Sequence, residues 1–208
     1  MSQQVHFGRS TPDQAAIGQH GAAQPVASRG LFFRRWLANP LQMGSIIPSS
    51  AALCRRVARH AACAPDEVVL ELGAGTGVMS RAVLDNGLPP HRLVLVEIVP
   101  ALADHLRRAL PGVTVIQGDA RELPTLLARL DLHIGAVICG VPLVLLPLAE
   151  QRRFVASIAA VAPARGFLHY SYCITSPIST SRLGLSAQRL AWTPLNFPPA
   201  SVWRYRTA

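Results

Sequence analysis

The chain contains no lysine, so arginine supplies all 20 of its Lys and Arg residues. Acidic residues are few, 11 in 208, and none lies between Asp13 and Asp66. That acid-free stretch contains Arg29, Arg34, Arg35, Arg55, Arg56 and Arg59. Such a basic block predicts an anionic partner, either a nucleic acid or an acidic membrane surface.

Long apolar runs and cysteine motifs are also lacking. The longest apolar run, residues 136–149, is interrupted by Gly140, Pro142 and Pro147 and is too short to span a bilayer. The N-terminus has no hydrophobic signal core. The four cysteines show no CxxC spacing and no paired histidine, so we expect free thiols, a cytoplasmic protein and no bound metal.

The stretch VVLELGAGTGV, residues 68–78, is the most informative part of the chain. Its first residues are apolar and β-branched, which predicts a buried parallel strand that Glu71 closes. Gly73, Gly75 and Gly77 then allow a tight turn close to a ligand, with a helix beginning near Thr76.

Acidic residues close the next two predicted strands as well: Glu97 ends RLVLVE, and Asp119 ends TVIQGD. Glu97 follows the glycines by about 20 residues, which is the spacing of an acid that holds a ribose. A nicotinamide fingerprint is GxGxxG, but here the third glycine comes one residue early and Val78 takes its place. A plain βα turn with incidental acids is the other alternative.

The string ELGAGTG, followed by Glu97 and by Gly118-Asp119-Ala120, resembles the signature of class I S-adenosylmethionine-dependent methyltransferases. The resemblance implies that the glycine turn cradles the methionine part of S-adenosylmethionine. Glu97 would then bind the ribose hydroxyls and Asp119 the adenine amino group. The full set of expected cofactor contacts is Glu71, Gly73, Ala74, Gly75, Gly77, Glu97, Ile98, Asp119, Ala120, Cys139, Ser45 and Ser49.

Strand and helix patterns alternate along the chain, which predicts an α/β fold with a doubly wound, mostly parallel sheet. The expected strands are residues 68–71, 92–97, 114–117, 133–139 and 166–172, with two weaker, partly antiparallel edge strands at 186–192 and 201–205. The expected helices are residues 51–62, 76–86, 100–110, 121–129 and 148–161, the first capped by Ser49 or Ser50. The resemblance adds that the seven strands form a Rossmann-like sheet.

The first 50 residues divide into two segments. Residues 1–28 lack periodicity and are rich in Gln, Gly, Ala and Ser, which predicts a disordered tail ahead of the domain at 51–208. In residues 29–50, Phe32, Phe33 and Trp36 form an apolar stripe opposite Arg34 and Arg35. This amphipathic helix either docks on a membrane or packs on the domain.

The end of the fourth strand carries information about the methyl acceptor. Methyltransferases that act on adenine amino groups have Asn/Asp-x-Pro-aromatic here, whereas this chain has Gly140 and Leu143 around Pro142. The groups that would read and stack on a base are missing. This departure argues against a nucleic acid partner and favours an apolar entrance to the site and a hydrophobic acceptor. The Gly140 carbonyl would then orient the amine of that acceptor.

The chain also resembles bacterial phospholipid N-methyltransferases that convert phosphatidylethanolamine to phosphatidylcholine. The resemblance rests on NPLQMGSIIPSSAAL (39–53), the glycine turn, CGVPLVLLP (139–147) and HYSYCITSPI (169–178). It implies a peripheral protein of the inner membrane that methylates phosphatidylethanolamine and its methylated forms. The family usually has Ser at Cys139 and Gln-Phe-Thr at residues 169–171, so the acceptor preference can differ here.

For the chemistry, Tyr172 and His169 are the candidates for relaying the proton of the acceptor amine. His169 as a buried, hydrogen-bonded residue of the strand is an equal alternative. Arg34, Arg35 or Arg182 is expected to pair with the lipid phosphate. Three other functions stay open: an ornithine-lipid N-methyltransferase, an rRNA adenine N6-methyltransferase, and a non-catalytic membrane-binding module.

Overall fold

A computed structural model describes residues 50–171, 175–194 and 199–208. Within these ranges seven strands form one sheet. The strands are β1 (Val68–Leu72), β2 (Leu93–Glu97), β3 (Thr114–Gln117), β4 (Ile134–Cys139), β5 (Phe167–Ser171), β6 (Leu185–Thr193) and β7 (Ala200–Thr207).

Six α-helices lie between or before the strands in the described ranges. They are α1 (Ala51–His60), α2 (Val78–Asp85), α3 (Pro100–Ala109), α4 (Leu123–Leu127), α5 (Leu148–Val161) and α6 (Thr180–Leu183). Short 3₁₀ helices occur at Pro90–Arg92, Ala120–Glu122 and Leu143–Leu145.

The strand order is β3-β2-β1-β4-β5-β7-β6. Strands β1 to β5 pair in parallel, and β7 runs antiparallel between β5 and β6. The register of β6 against β7 shifts between Arg189 and Ala191. This arrangement confirms the predicted α/β fold with a mostly parallel seven-stranded sheet.

The sheet forms because β1 and β2 are buried along their whole length between two apolar clusters. Leu70 and Leu72 enter the cluster that contains Phe154 and Tyr205, whereas Val69 enters the cluster on the other face with Leu53. Each fully buried leucine contributes roughly 2 kcal/mol to folding. The central strands therefore provide a rigid base for the loops that follow them.

The chain reverses direction across the sheet between β1 and β4, so a crevice opens at the carboxyl ends of these strands. Backbone hydrogen bonds continue past the strand ends there. Gly73 donates to Val96 at 2.8 Å, and Gly140 donates to Leu72 at 2.8 Å. We call this the carboxyl edge of the sheet.

Ser50 caps α1, as the sequence predicted: its Oγ accepts from the Leu53 N–H at 3.2 Å. Some boundaries differ from the prediction. Helix α2 begins at Val78 rather than Thr76, because Gly77 has a φ of 79° and ends the turn in the left-handed region. The predicted helix at 121–129 divides into a 3₁₀ turn and α4, and α6 was not predicted.

Gly166 and Gly184 offer a matched test of the fold, because their φ values are 62° and 63°. A Cβ on Gly166 would lie 1.9 Å from the Tyr205 carbonyl oxygen, whereas a Cβ on Gly184 would meet nothing within 4 Å. We expect Gly184→Ala to cost about 1 kcal/mol of unfolding free energy through backbone strain alone. Gly166→Ala should cost several times more, because the β5–β7 pairing must open. Urea denaturation measures both, and equal losses would contradict this account.

Candidate active site

The glycine turn after β1 is shaped by close approach as well as by backbone conformation. Gly73, Gly75 and Gly77 all have positive φ, between 58° and 79°. A Cβ on Gly73 would lie 2.9 Å from Val141 Cγ2, and one on Gly77 would lie 2.9 Å from Leu106 Cδ2. Side chains at these two positions would push the turn away from the segment that follows β4 and from α3.

Glu97 holds the middle of this turn. Its Oε2 accepts from the Gly75 N–H at 2.9 Å, and its Oε1 accepts from the Val99 N–H at 3.0 Å. The side chain is 2% exposed. Each carboxylate oxygen can accept a further bond, so Glu97 can also bind the hydroxyls of a ribose placed beside the turn.

Glu71 lies beneath the turn and is 1% exposed. Its Oε2 accepts from the Ser80 hydroxyl at 2.7 Å. Burial raises the pKa of Glu71 to about 7; the Ser80 hydrogen bond opposes the rise, and the nearby Glu97 charge adds to it. Glu71 therefore links β1 to α2 and stands away from solvent.

Asp119 is engaged by Arg121. Asp119 Oδ1 accepts from the Arg121 backbone N–H at 2.9 Å, and the guanidinium pairs with both carboxylate oxygens. Arg121 also pairs with Glu150 of α5. Partial burial would raise the pKa of Asp119, but the hydrogen bonds and the charge of Arg121 outweigh it and lower that pKa. The carboxylate is thus kept ionised and oriented.

A pocket opens between these groups at the carboxyl edge. Its lining consists of Gly73, Val96, Glu97, Ile98, Gly118, Asp119, Ala120, Arg121, Val141 and Phe154. Most of its side chains are apolar, and the carboxylates of Glu97 and Asp119 and the guanidinium of Arg121 are its charged groups. This combination fits a nucleoside, whose base needs an apolar slot and whose ribose and exocyclic amine are hydrogen-bond donors.

The sequence did not single out Val141, Phe154 or Arg121 as part of this pocket. Phe154 lies on α5, 35 positions along the chain from Asp119, and no local pattern marks it. Of the expected cofactor contacts, Ile98 and Ala120 line the pocket beside Glu97 and Asp119. Ala74 and Cys139 are buried in the two apolar clusters. Burial raises the pKa of the Cys139 thiol to about 12, so the side chain stays neutral.

His169 pairs in register with Cys139, and its ring is 3% exposed. Its Nδ1 lies 2.9 Å from the Cys139 carbonyl oxygen, which can only accept, so Nδ1 carries the proton. Burial lowers the pKa of His169, and the hydrogen bond opposes that shift. The ring is therefore neutral and enclosed, which favours the structural alternative over a proton relay.

Two further residues of the predicted acceptor side, Leu143 and Arg182, lie within the described ranges. Leu143 is fully buried in the 3₁₀ turn Leu143–Leu145, whereas Pro142 and Val144 are partly exposed. Arg182 lies on α6, directly before β6. Leu185 of β6 pairs with Thr207 of β7, and the Arg182 carbonyl accepts from the Arg152 guanidinium of α5 at 3.3 Å, so the pairing of Arg182 with a lipid phosphate stays a prediction.

The other predicted site residues lie outside the described residues. They are Phe32, Phe33, Arg34, Arg35, Trp36, Ser45, Ser49 and Tyr172. In the described ranges, no group of three or more His, Cys, Asp or Glu side chains is arranged to hold a metal ion. No helix in the same part of the chain is long and apolar enough to cross a membrane.

Comparison with known proteins identifies the class. A family model described as a methyltransferase domain matches residues 69–166, which include the glycine turn, Glu97, Asp119 and Gly140. The chain is an S-adenosylmethionine-dependent methyltransferase with a class I domain. Its cofactor is S-adenosylmethionine, in keeping with the apolar residues and the two carboxylates that line the pocket.

Individual relatives differ in their acceptors. The chain is 27% identical over 178 residues to an ornithine lipid N-methyltransferase of Singulisphaera acidiphila, covering 83% of this chain and 93% of that protein. It is 32% identical over 141 residues to a ribosomal RNA small subunit methyltransferase A of Nocardia farcinica, covering 64% of this chain but 46% of that protein. A solved DhpI–SAM–HEP complex shares the fold, with a TM-score of 0.56 at 16% identity over 89% of this chain and 99% of that one.

Glu71 makes stability depend on pH. In the folded protein the pKa of Glu71 is about 7, above its ordinary value of 4.5. The protonated side chain therefore stabilises the fold fully below pH 4.5, and this contribution to the unfolding free energy is lost as pH rises through 7. We expect Glu71→Gln to remove up to roughly 3 kcal/mol of this pH dependence of the unfolding free energy. Ser80→Ala removes the opposing hydrogen bond and should extend the loss to higher pH. Urea denaturation across that range tests both, and an unchanged slope in Glu71→Gln would refute the assignment.

Arg121→Met leaves Asp119 partly buried without its cation. The Asp119 pKa should then rise, and affinity for S-adenosylhomocysteine should fall several-fold at neutral pH and further toward about pH 5.5. Titration calorimetry at both pH values measures this. Arg107→Met, which breaks the exposed pair with Asp104 on α3, is the matched control. If Arg121→Met shows the wild-type pH profile, Arg121 does not control the Asp119 carboxylate.

Proposed function

We propose that the protein transfers methyl groups to the primary amine of a membrane aminolipid. Two lipids share the required chemistry, a primary ammonium beside an anionic group on an acyl-chain anchor. The sequence motifs favour phosphatidylethanolamine and its methylated forms, on the route to phosphatidylcholine. The name of the Singulisphaera relative suggests ornithine lipid.

The observation that carries this proposal is the absence of base-reading groups at the end of β4. Gly140 has no side chain, and the Leu143 side chain is fully buried. A nucleobase acceptor needs a polar side chain for its amine and a stacking surface for its ring. An alkyl ammonium needs neither, only oxygen acceptors and removal from water.

The length of the match to the ornithine lipid N-methyltransferase supports the same proposal. Its alignment covers 93% of that protein and 83% of this chain, so both the cofactor half and the acceptor half are included. An rRNA methyltransferase is the second candidate, because several relatives carry that name and the chain is basic. The chain spans less than half the length of the Nocardia relative, however.

Association with an anionic membrane would bring the enzyme to such a lipid. Helix α1 exposes Arg55, Arg56 and Arg59, while Leu53 and Val57 face the core. Arg81 of α2 joins Arg55 in lining a groove between the two helices. Residues 29–50, the proposed amphipathic segment, lead directly into α1. We infer peripheral attachment at the cytoplasmic face of the inner membrane, strengthened by anionic lipid.

The chemistry requires alignment and a free lone pair. S-adenosylmethionine supplies a methyl group activated by its sulfonium. The acceptor ammonium, whose pKa is near that of lysine (about 10), must first lose a proton. Removal from water lowers that pKa. The amine nitrogen then forms a bond to the methyl carbon as the carbon–sulfur bond breaks, with the electron pair going to sulfur. The Gly140 carbonyl and Tyr172 are our proposed groups for orienting the amine and relaying its proton.

The deciding measurement is methyl transfer from labelled S-adenosylmethionine to three acceptors in parallel: phosphatidylethanolamine vesicles, ornithine-lipid vesicles and an rRNA transcript. We expect label in one or both aminolipids, identified by mass spectrometry, and an increase with anionic lipid. Label in the transcript alone would overturn the proposal and favour the rRNA function.

A combined variant tests the membrane contact. Replacing Arg55, Arg56 and Arg59 by Gln should reduce the stimulation by anionic vesicles, because each basic residue near the surface contributes about 1 kcal/mol. The matched control replaces Arg107, Arg108 and Arg129, which are exposed elsewhere. It removes the same charge, so equal losses in both variants would mean that only net charge matters.

A further inference from the structure

Tyr170 lies near the end of β5, at the carboxyl edge of the sheet. Its hydroxyl oxygen is 3.2 Å from the point that a Cβ on Gly140 would occupy. The same point lies 2.9 Å from the Gly73 carbonyl oxygen and 3.2 Å from the Leu72 carbonyl oxygen. Three oxygen atoms, from the end of β1, the glycine turn and β5, therefore converge beside Gly140.

The position of the tyrosine follows from strand pairing. His169 is opposite Cys139, so Tyr170 comes next along β5 and turns to the other face of the sheet. Its ring packs against the apolar cluster that contains Leu53, Leu168 and Val202. Packing of the ring on that cluster limits where the hydroxyl can go.

The tyrosine and the glycine are sterically coupled. A side chain at position 140 would collide with the Gly73 backbone, since 2.9 Å is below any ordinary contact of a Cβ with oxygen. A polar group for an acceptor at the end of β4 therefore has to come from a neighbouring strand. The Tyr170 hydroxyl is such a group, because it lies beside the point that a Gly140 Cβ would occupy.

We propose that the Tyr170 hydroxyl contacts the acceptor amine at the point of methyl transfer and orients its lone pair, a role that rests on the proposed aminolipid function. The hydroxyl oxygen accepts a hydrogen bond from an amine N–H. The nitrogen lone pair is then left to form the new bond to the methyl carbon, and the pair of the broken carbon–sulfur bond goes to sulfur. The product ammonium afterwards loses its extra proton to solvent.

The test compares Tyr170→Phe with the wild type in a readout that needs no lipid. Sinefungin resembles S-adenosylmethionine but has an amine-bearing carbon in place of the methylated sulfur, so its amine probes the transfer point. S-adenosylhomocysteine lacks any group there. We expect Tyr170→Phe to weaken the binding of sinefungin by about tenfold, as for one lost hydrogen bond to a charged group. The binding of S-adenosylhomocysteine should weaken by less than about twofold. The kcat for lipid methylation should fall by a similar or larger factor.

Tyr205→Phe is the matched control. It also removes one tyrosine hydroxyl from the sheet, but that hydroxyl lies 2.9 Å from Ser176 Oγ in the opposite cluster. It should leave the ratio of the two affinities unchanged. An unchanged ratio in Tyr170→Phe overturns the proposal for Tyr170. A changed ratio in an enzyme that methylates neither aminolipid overturns the lipid function and upholds the placement of Tyr170.

Discussion

The paired hydrogen bonds from Gly75 and Val99 to the Glu97 carboxylate are the constraint on which the site depends. Gly73 packs against Val141, directly after β4, and Gly77 packs against α3, but no neighbouring atom lies within 4 Å of where a Cβ on Gly75 would be. The middle of the turn is therefore held by its hydrogen bond to the Glu97 carboxylate and not by side-chain packing. A buried carboxylate that accepts two backbone donors aligns the turn with the end of β2, and the pocket walls follow from that alignment.

The sheet divides its tasks between two halves. The ends of β1, β2 and β3 carry the glycine turn, Glu97 and Asp119, and one pocket is lined by Gly73 together with the two acids. The ends of β4 and β5 bring Gly140 and Tyr170 together, and we assign them to the acceptor. The reversal of strand order between β1 and β4 puts both halves beside one crevice. The two halves touch where Gly140 packs against Gly73.

The strands and the glycine turn could be predicted because their signals are local. Buried strands have continuous apolar runs in the sequence, and positions that need a positive φ are usually occupied by glycine. The partner of Asp119 could not be predicted in this way. Arg121 is two residues away in sequence, but its second anchor, Glu150, lies on α5. The burial of Leu143 could not be predicted for a similar reason, because it depends on how distant segments pack. Tyr170 was passed over because alternation along β5 does not say which face meets Gly140.

Both edges of the sheet limit further pairing. Strand β3 is four residues long, and β6 is interrupted where its register shifts beside the exposed Arg189. Short, irregular or charged edge strands are poor templates for another chain. An enzyme concentrated on a two-dimensional surface meets its own copies far more often than one dispersed in solution. One short edge strand and one irregular, arginine-bearing edge strand would limit β-pairing between copies of the protein that are crowded together.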